Sequence, residues 1–196
     1  MTASILKNEL KAHRRCFDGL SQSETQIDAV GRKLAEVVTD GGKILLCGNG
    51  GSAADSQHFA AEVVGRLATE RPAAPAVALT TDSSILTAIA NDYGYDAVFV
   101  RQVAALAQPG DALIGISTSG NSSNVIAAVD QARALHCFTI ALTGRSGGDL
   151  ASAADAAVSA PSFSTRRIQE AHIFILHCWA MAIERAVLAI ETGPRP

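Results

Sequence analysis

The chain has 196 residues, enough to bury one hydrophobic core of the size usual for a single domain. Hydrophobic residues make up 48% of it and charged residues 18%, which excludes a disordered chain. A formal net charge of −3 offers no basic surface for nucleic acid, and no run approaches the roughly 20 apolar residues of a membrane span. The first ten residues lack a signal-peptide core, so we expect a cytoplasmic protein without nucleic-acid or membrane partners.

The first forty residues predict two amphipathic helices, the earlier one over residues 5–17. Ser23-Glu24-Thr25-Gln26 has the form of a capping box, in which the serine accepts an N–H at a helix start and the glutamine reaches back. Apolar residues then recur at helical spacing until Gly41-Gly42 ends the second helix. Such a pair can cover the chain's own core or pack against a partner subunit, and the pattern leaves both open.

From residue 43 onward, short apolar strands alternate with helical segments. Strands are expected over residues 43–47, 76–79, 112–116, 138–142 and 156–159. Helices are expected up to about residue 67, over 83–90 and 97–106, up to 135, and over 166–190. Continuous apolar strands between helices are typical of a parallel sheet covered on both faces. We therefore predict a single α/β domain over residues 1–196, with a doubly wound five-stranded parallel sheet preceded by the helical pair.

The four cysteines stand far apart, without a Cys-x-x-Cys pair. This spacing favours neither a thiolate zinc site nor a disulfide framework. We expect Cys16, Cys47, Cys137 and Cys178 to be free thiols that behave as small apolar side chains.

Two strand ends carry small polar residues, at the edge where open parallel sheets bind ligands. The glycine loop, Gly48-Asn49-Gly50-Gly51-Ser52, leaves backbone N–H groups at a helix start open to an anion. The serine loop, Ser117-Thr118-Ser119-Gly120-Asn121-Ser122, adds four hydroxyls. Neither has the lysine of a P-loop, and the first lacks G-x-G-x-x-G spacing. Tight turns with N-caps would explain either loop alone, but both together predict a phosphate-monoester site.

Histidines and a glutamate in two helices are further candidates. His58 and Glu62 stand four residues apart, so both project from one helix face. Spacing alone leaves an acid–base pair, two metal ligands and a solvated ion pair open. Gln169, His172 and His177 interrupt the otherwise apolar last helix, where buried polar groups need hydrogen-bond partners.

Together these motifs resemble the SIS domain, and more narrowly the phosphoheptose isomerase family. The resemblance covers nearly the whole chain and rests on both loops, His58-x-x-x-Glu62, Arg71-Pro72, residues 86–92, Leu142-Thr143-Gly144 and Arg167-Ile168-Gln169-Glu170 with His172 and His177. It implies isomerisation of sedoheptulose 7-phosphate to D-glycero-D-manno-heptose 7-phosphate through an enediol, at the entry to bacterial heptose synthesis. It also implies a homotetramer with active sites at subunit interfaces, in which residues 1–40 serve oligomer packing.

The resemblance implies a role for each candidate residue. Glu62 would be the base that moves a proton between C1 and C2, and His177 its partner acid or base. Zinc would be bound by His58, Glu62, Gln169 and His177. The phosphate would be held by Ser117, Thr118, Ser119 and Ser122. The sugar would be contacted by Asn49, Gly50, Gly51, Ser52, Glu62, Asn91, Asp92 and Gln169, although Asn91-Asp92 could instead cap its helix.

One expectation is independent of the resemblance. Within one helix, Gln169 and His177 lie ~12 Å apart along the axis, so one chain is not expected to bring both to one metal ion. We therefore predict a site shared between subunits, one giving Gln169 and another His177.

The resemblance leaves one segment open. Some relatives place an aspartate just before Ile168, where this chain has Ser164-Thr165-Arg166-Arg167, and Thr165 is a candidate to replace an aspartate contact to the sugar. Arg166 or Arg167 could help to hold the phosphate, but we expect both to be solvated surface arginines.

The main alternative is a non-catalytic tetrameric SIS protein of the kind that associates with the bacterial replication initiator. That kind lacks Glu and His at the positions matching Glu62 and His177, and both are present here. A second alternative, a sugar-phosphate-sensing regulator, usually carries an extra DNA-binding domain that this length does not accommodate. The enzyme is therefore the favoured interpretation.

Overall fold

The computed structural model describes residues 4–192, with side chains up to residue 190. Its helices are α1 (Ile5–Leu20), α2 (Glu24–Thr39), α3 (Gly51–Val64), α4 (Ser83–Tyr93), α5 (Val100–Leu106), α6 (Ser123–Ala134), α7 (Gly148–Ala153) and α8 (Thr165–Thr192). Its strands are β1 (Ile44–Gly48), β2 (Ala76–Ala78), β3 (Ala112–Ser117), β4 (Phe138–Thr143) and β5 (Ala156–Ser159). All five strands pair in parallel in the order β2-β1-β3-β4-β5, which confirms the predicted α/β class and doubly wound sheet.

The strand order places the two polar loops side by side. From β1 the chain moves outward to β2 and then returns past β1 to β3 on the other side. Such a reversal leaves a crevice at the carboxyl ends of the two adjacent strands, where doubly wound sheets bind ligands. The glycine loop follows β1 and the serine loop follows β3, and Gly48 pairs in register with Ile116 at that edge.

The sheet is buried on both faces because successive strand residues point to opposite sides. Ile44 and Leu46 of β1 enter a core formed with α1, α2, α3 and α8. Leu45 and Cys47 of the same strand enter a second core formed with α5, α6 and α7. The α1–α2 pair therefore covers the chain's own core, one of the two roles that its sequence left open.

Helix α8 is the main packing partner of α2 and also contacts α3. Trp179 is fully buried, and its indole N–H donates a 2.9 Å hydrogen bond to the carbonyl oxygen of Ile27 in α2. By length and composition alone Thr165–Ile190 would pass as a membrane span, with a mean hydropathy of 1.8. Its burial against α2 and α3 instead makes it a core helix of this domain.

The capping box predicted at the start of α2 is wrong. Ser23 precedes the helix, but its side chain makes no capping hydrogen bond. A 3₁₀ turn over Ser21–Ser23 carries the chain from α1 directly into α2. Ser23 consequently adopts φ −107° and ψ 6° instead of the extended conformation that a capping serine needs.

Two further differences concern helix boundaries. Helix α4 continues through Tyr93, so Asn91 and Asp92 lie within its last turn and not after it. Helix α7 has no counterpart among the predicted elements, because its Gly-Asp-Leu-Ala-Ser-Ala sequence is too short to show an amphipathic period. Leu150 of α7 is buried, and its N–H donates to the carbonyl oxygen of Gly120, so this helix supports the serine loop.

The cysteine prediction is confirmed. All four are free thiols, and three of them are buried: Cys16, Cys47 and Cys137. Burial raises the pKa of Cys47 to about 12, which makes this thiol unreactive at neutral pH.

Candidate active site

The hydroxyls of the serine loop converge at the start of α6. Ser117 Oγ lies 2.9 Å from Ser122 Oγ and 3.4 Å from Ser119 Oγ. Gly120 makes the turn with a φ of +72°, a conformation that favours glycine. Ser122 precedes α6, but its side chain makes no capping hydrogen bond, so the first N–H groups of α6 keep their capacity to bind an anion. Ordinary N-capping therefore does not explain this loop.

An amide pair ties the glycine loop to α6. The Asn49 side-chain amide donates to Asn124 Oδ1 at 2.8 Å, and the Asn124 amide donates back to Asn49 Oδ1 at 3.0 Å. The Tyr95 hydroxyl donates to the same Asn49 oxygen at 3.1 Å. Asn49, predicted to contact sugar, is thus bonded to protein. Neither Asn124 nor Tyr95 stands out in the sequence, because their role depends on contact between distant loops.

Glu62 lies between two imidazoles where α3 meets α8, an arrangement that we call the His–Glu–His cluster. Glu62 Oε1 lies 3.0 Å from His58 Nε2 and 3.2 Å from His177 Nε2, and these two nitrogens are 3.2 Å apart. The Glu62 side chain is 13% exposed, against 52% for His58 and 40% for His177. Glu62 Oε2 is buried and has no hydrogen-bond partner among residues 4–190. The carboxylate is therefore held inside while the imidazoles face outward.

The cluster has the donor set of a zinc site. One ligand atom from each of the three residues can be chosen so that all lie within 4.8 Å of one another. Two imidazole nitrogens and one carboxylate oxygen suit zinc, and three protein ligands with an open fourth position are typical of catalytic zinc. A bound cation would also give the buried Glu62 Oε2 an electrostatic partner.

Gln169 lies away from this cluster, beside the glycine loop. Its amide occupies the space that a β-carbon on Gly51 would take. Gly51 begins α3, whereas His58 and Glu62 lie two to three turns further along it. Within one chain, Gln169 and His177 therefore address different positions, as their helical separation predicted.

A buried ion pair holds the helix ends that carry the cluster. Arg71 Nη2 donates to the carbonyl oxygens of Glu62 and Val63, both at 2.8 Å. Glu184 of α8 accepts backbone N–H groups from residues 67–69 and lies 3.8 Å from Arg71 Nε. Burial acts to raise the pKa of Glu184, but the three N–H donors and Arg71 outweigh it and hold the pKa below its usual value.

Two groups of predicted candidates lie elsewhere. His172 is buried, and its Nε2–H donates to the carbonyl oxygen of Thr143 at 2.8 Å. Burial lowers the pKa of His172 to about 4, so it is a neutral core residue that ties α8 to the end of β4. Asn91 and Asp92 are exposed, and the Asn91 amide donates to Asp92 Oδ1 at 2.8 Å.

Asp55 is a candidate that the sequence did not single out. It lies on α3 one turn before His58, and its Oδ2 is buried without a hydrogen-bond partner among residues 4–190. Burial raises the pKa of Asp55 to about 6, while the charge of His58 opposes this shift. Spacing marked His58 and Glu62 but gave no reason to expect a buried carboxylate beside them.

The prediction that Arg167 is a solvated surface arginine is wrong. Its side chain is 9% exposed, its Nη1 donates to the carbonyl oxygen of Glu9, and its Nη2 pairs with Glu170. The reason is that α1 packs over the start of α8 and covers Arg167. Arg166, by contrast, is exposed as predicted and lies 3.4 Å from Glu9 Oε1.

Comparisons with known proteins agree with this fold. The SIS-domain sequence pattern matches residues 10–144. The phosphoheptose isomerase of Thiobacillus denitrificans is 54% identical over 178 residues, which cover 89% of this chain and 90% of that protein. The phosphoheptose isomerase structure from Neisseria gonorrhoeae matches with a TM-score of 0.87 and 44% identity, covering 92% of this chain and 97% of that one. The one from Francisella tularensis matches with a TM-score of 0.89 and 35% identity over 92% and 96%. The chain therefore belongs to the phosphoheptose isomerase family of SIS-domain proteins.

Proposed function

We propose that this chain converts sedoheptulose 7-phosphate to D-glycero-D-manno-heptose 7-phosphate, the first step of bacterial heptose synthesis. The observation that carries this proposal is the His–Glu–His cluster, a largely buried carboxylate flanked by two imidazoles. Ketose–aldose exchange needs a base beside a carbon acid and a second group that moves protons between oxygens, and the cluster supplies both. Relatives named phosphoheptose isomerase match over nearly the whole chain.

Glu62 and His177 divide the proton transfers between carbon and oxygen. Glu62 takes a proton from C1 of the open-chain ketose, the C1–C2 enediol forms, and Glu62 returns the proton to C2. His177, whose Nε2 lies 3.2 Å from Glu62 Oε1, moves the second proton from O1 to O2. The reaction is then balanced without any redox partner.

The serine loop would hold the substrate phosphate. Its convergent hydroxyls donate to phosphate oxygens, and the uncapped N–H groups of α6 add backbone donors and a positive helix end. No lysine or arginine belongs to this loop, which suits a monoester that must leave after each turnover.

The same cluster is proposed to bind zinc through His58, Glu62 and His177, with Gln169 as a fourth ligand from another subunit. When bound, the metal would polarise the substrate carbonyl and stabilise negative charge on the enediolate oxygen. Loss of activity with a chelator and recovery with zinc, accompanied by one zinc ion per chain in elemental analysis, is the expected result.

We propose that the sites lie at subunit interfaces of a homotetramer. Large apolar side chains remain exposed on α1 and α8, among them Ile5, Leu6, Leu10, Phe174 and Met181. Exposed apolar residues grouped on two helices are typical of surfaces that pack against another chain. Residues 1–40 would then serve oligomer packing as well as their own core.

Subunit sharing can be tested by mixing two inactive variants. Gln169→Ala and His177→Ala chains, unfolded and refolded together, should form hybrid tetramers in which some sites have both native residues. Activity should then reappear in the mixture while each variant alone stays inactive. A mixture that forms hybrids and remains inactive would show that each chain supplies its own Gln169 and His177.

The function itself is tested by a coupled assay for the aldose phosphate. The parent should turn over sedoheptulose 7-phosphate, and Glu62→Gln and His177→Ala should each lose about 10²–10⁴-fold in kcat. Glu36→Gln, an exposed glutamate on α2, is the matched control and should retain parental activity. Absence of turnover in a parent that still binds the sugar phosphate would instead favour the non-catalytic SIS protein.

A cytoplasmic location is part of the same proposal. The four thiols are all unpaired, as expected in a reducing compartment. Cell fractionation followed by immunoblotting should find the chain in the cytoplasmic fraction, and recovery from the periplasm or the membranes would contradict this location.

A further inference from the structure

A cavity of about 500 Å³ lies beside the start of α8, and three arginines line it. Arg15 comes from α1, Arg145 from the segment after β4, and Arg167 from α8. Ser162 and Ser164, in the segment between β5 and α8, complete its polar lining. Nothing in the isomerase reaction uses this arginine pocket.

The positive charge of the arginine pocket is only partly compensated. No acidic residue lines it, and within residues 4–190 neither Arg15 nor Arg145 forms an ion pair. Arg167 pairs with Glu9 and Glu170, yet its Nε is buried without a hydrogen-bond partner in the described chain. Three guanidinium groups around one cavity repel one another unless an anion lies between them.

The arrangement leaves guanidinium N–H groups available to a ligand. The Arg145 guanidinium carbon lies 5.5 Å from the centroid of the Phe163 ring, a cation–π contact with the face of the ring. Stacking of this kind leaves the N–H edges free to bind phosphate oxygens in a bidentate manner. The Ser162 hydroxyl accepts the N–H of Ser164 at 3.1 Å and still has its own proton to donate.

The arginine pocket is separate from the serine loop. None of residues 117–122 lines it. Gly144 stands between the two, since a β-carbon there would lie 2.5 Å from the carbonyl oxygen of Thr118, and Arg145 follows it on the pocket side. The serine loop and the arginine pocket would therefore be two separate anion sites on opposite sides of Gly144.

We propose that the arginine pocket binds a phosphate dianion, free or as a phosphate monoester, in addition to the phosphate held by the serine loop. Arginine is the residue suited to bidentate phosphate binding, and the hydroxyls supply further donors. The inference does not depend on the isomerase activity, since it concerns residues that the reaction does not use. Affinity should fall as ionic strength rises, because two of the three arginines are exposed.

Equilibrium dialysis with radiolabelled inorganic phosphate tests this by counting sites. The parent should bind two phosphates per chain at millimolar phosphate. Arg15→Gln combined with Arg145→Gln should bind one, and Ser119→Ala combined with Ser122→Ala should also bind one. Arg32→Gln, which removes an exposed arginine of α2 outside the pocket, should still bind two. The single Arg145→Gln change should weaken the pocket site at least about tenfold, and Arg145→Lys should weaken it less.

The outcomes separate the two sites. If the double arginine variant keeps the parental count, or if the serine-loop variant binds none, the arginine pocket does not bind phosphate and the proposal is overturned. A single phosphate that is lost only in the arginine variant would support the pocket and count against the serine loop. Titration with glycerol 3-phosphate then decides the source, since a tighter fit than inorganic phosphate indicates a monoester ligand.

Discussion

The serine loop takes its four hydroxyls from six consecutive residues, whereas the His–Glu–His cluster joins His58 to a histidine 119 residues further along the chain. The loop is held by bonds within itself, such as that between Ser117 and Ser122, and by the nearby helix α7, where the Leu150 N–H donates to the carbonyl oxygen of Gly120. The cluster depends on two helices whose relative position is set by the Arg71–Glu184 pair and by residues 67–69. A local site and a tertiary site therefore serve the same proposed reaction.

The loop and the cluster should therefore respond differently to substitution. Substitutions in the serine loop should weaken phosphate binding and leave the fold intact, because the loop lies outside the core, at the carboxyl ends of the strands. Substitutions at the contact between α3 and α8, which we call the α3–α8 seam, should lower both the free energy of unfolding and kcat. Glu62 cannot keep its distance from His177 once the helix ends separate.

The largest expected effect comes from Glu184→Ala. The change removes the acceptor of three backbone N–H groups and leaves buried Arg71 without its carboxylate, so we expect a loss of about 3–5 kcal/mol of unfolding free energy. In the protein that remains folded, kcat should fall while phosphate binding by the serine loop persists. Urea unfolding and steady-state kinetics at low temperature measure both.

The matched control for Glu184 is Glu70→Ala. Glu70 lies in the neighbouring segment but is exposed, with Arg66 as its partner at 3.3 Å, so its removal should change stability by less than about 0.5 kcal/mol. A Glu184→Ala protein as stable and active as the parent would show that the α3–α8 seam does not position the cluster.

The second prediction concerns acid stability through His172, which anchors α8 near the loop side. Burial lowers its pKa from 6.5 to about 4, so the unfolded chain binds a proton over this range while the folded chain does not. The contribution is full above pH 6.5 and is lost as the pH falls toward 4, by about 3 kcal/mol in total. His172→Gln should therefore flatten the dependence of unfolding free energy on pH.

Asp55 acts in the opposite direction over the same range. Burial raises its pKa from 3.8 to about 6, so protonation on acidification favours the folded chain. Since Asp55 is present in both proteins, the difference in unfolding free energy between the parent and His172→Gln reports the histidine alone. Asp55→Asn should raise the unfolding free energy of the chelator-treated protein above pH 6, and this gain should disappear below pH 4. Parallel curves for the parent and His172→Gln would refute the assigned role of His172.

The smallest expected effect is that of a single hydroxyl in the serine loop. Ser122→Ala removes one donor to the phosphate and should raise KM by roughly tenfold, with little change in kcat or melting temperature. Ser152→Ala, on the exposed face of α7, is the control and should match the parent. A large fall in kcat at unchanged KM would show that Ser122 takes part in the chemical step, as the His–Glu–His cluster does, and would contradict a role in phosphate binding alone.

Local patterns were enough to predict most of the fold. Continuous apolar strands between helices predicted the parallel sheet. The polar runs after β1 and β3 lie at neighbouring strand ends, and anion binding there stays a prediction. Predictions from local patterns were wrong where the conformation or burial of a residue depends on neighbouring elements. Ser23 does not cap α2 because a 3₁₀ turn leads into it, and Arg167 is buried because α1 covers it.

Local sequence patterns predicted the residue types that the proposed chemistry requires: small polar loops at strand ends, and His58 and Glu62 on one helix face. Helical geometry also predicted that Gln169 and His177 are too far apart to meet within one chain, and Gln169 indeed lies against Gly51 while His177 lies beside His58 and Glu62. Packing between distant elements brings His177 to Glu62, ties the glycine loop to α6 through Asn124, and places Glu184 beside Arg71 where α3 and α8 meet. The reason is physical: periodicity fixes which side of an element a residue faces, whereas packing between elements distant in the chain decides what it meets there.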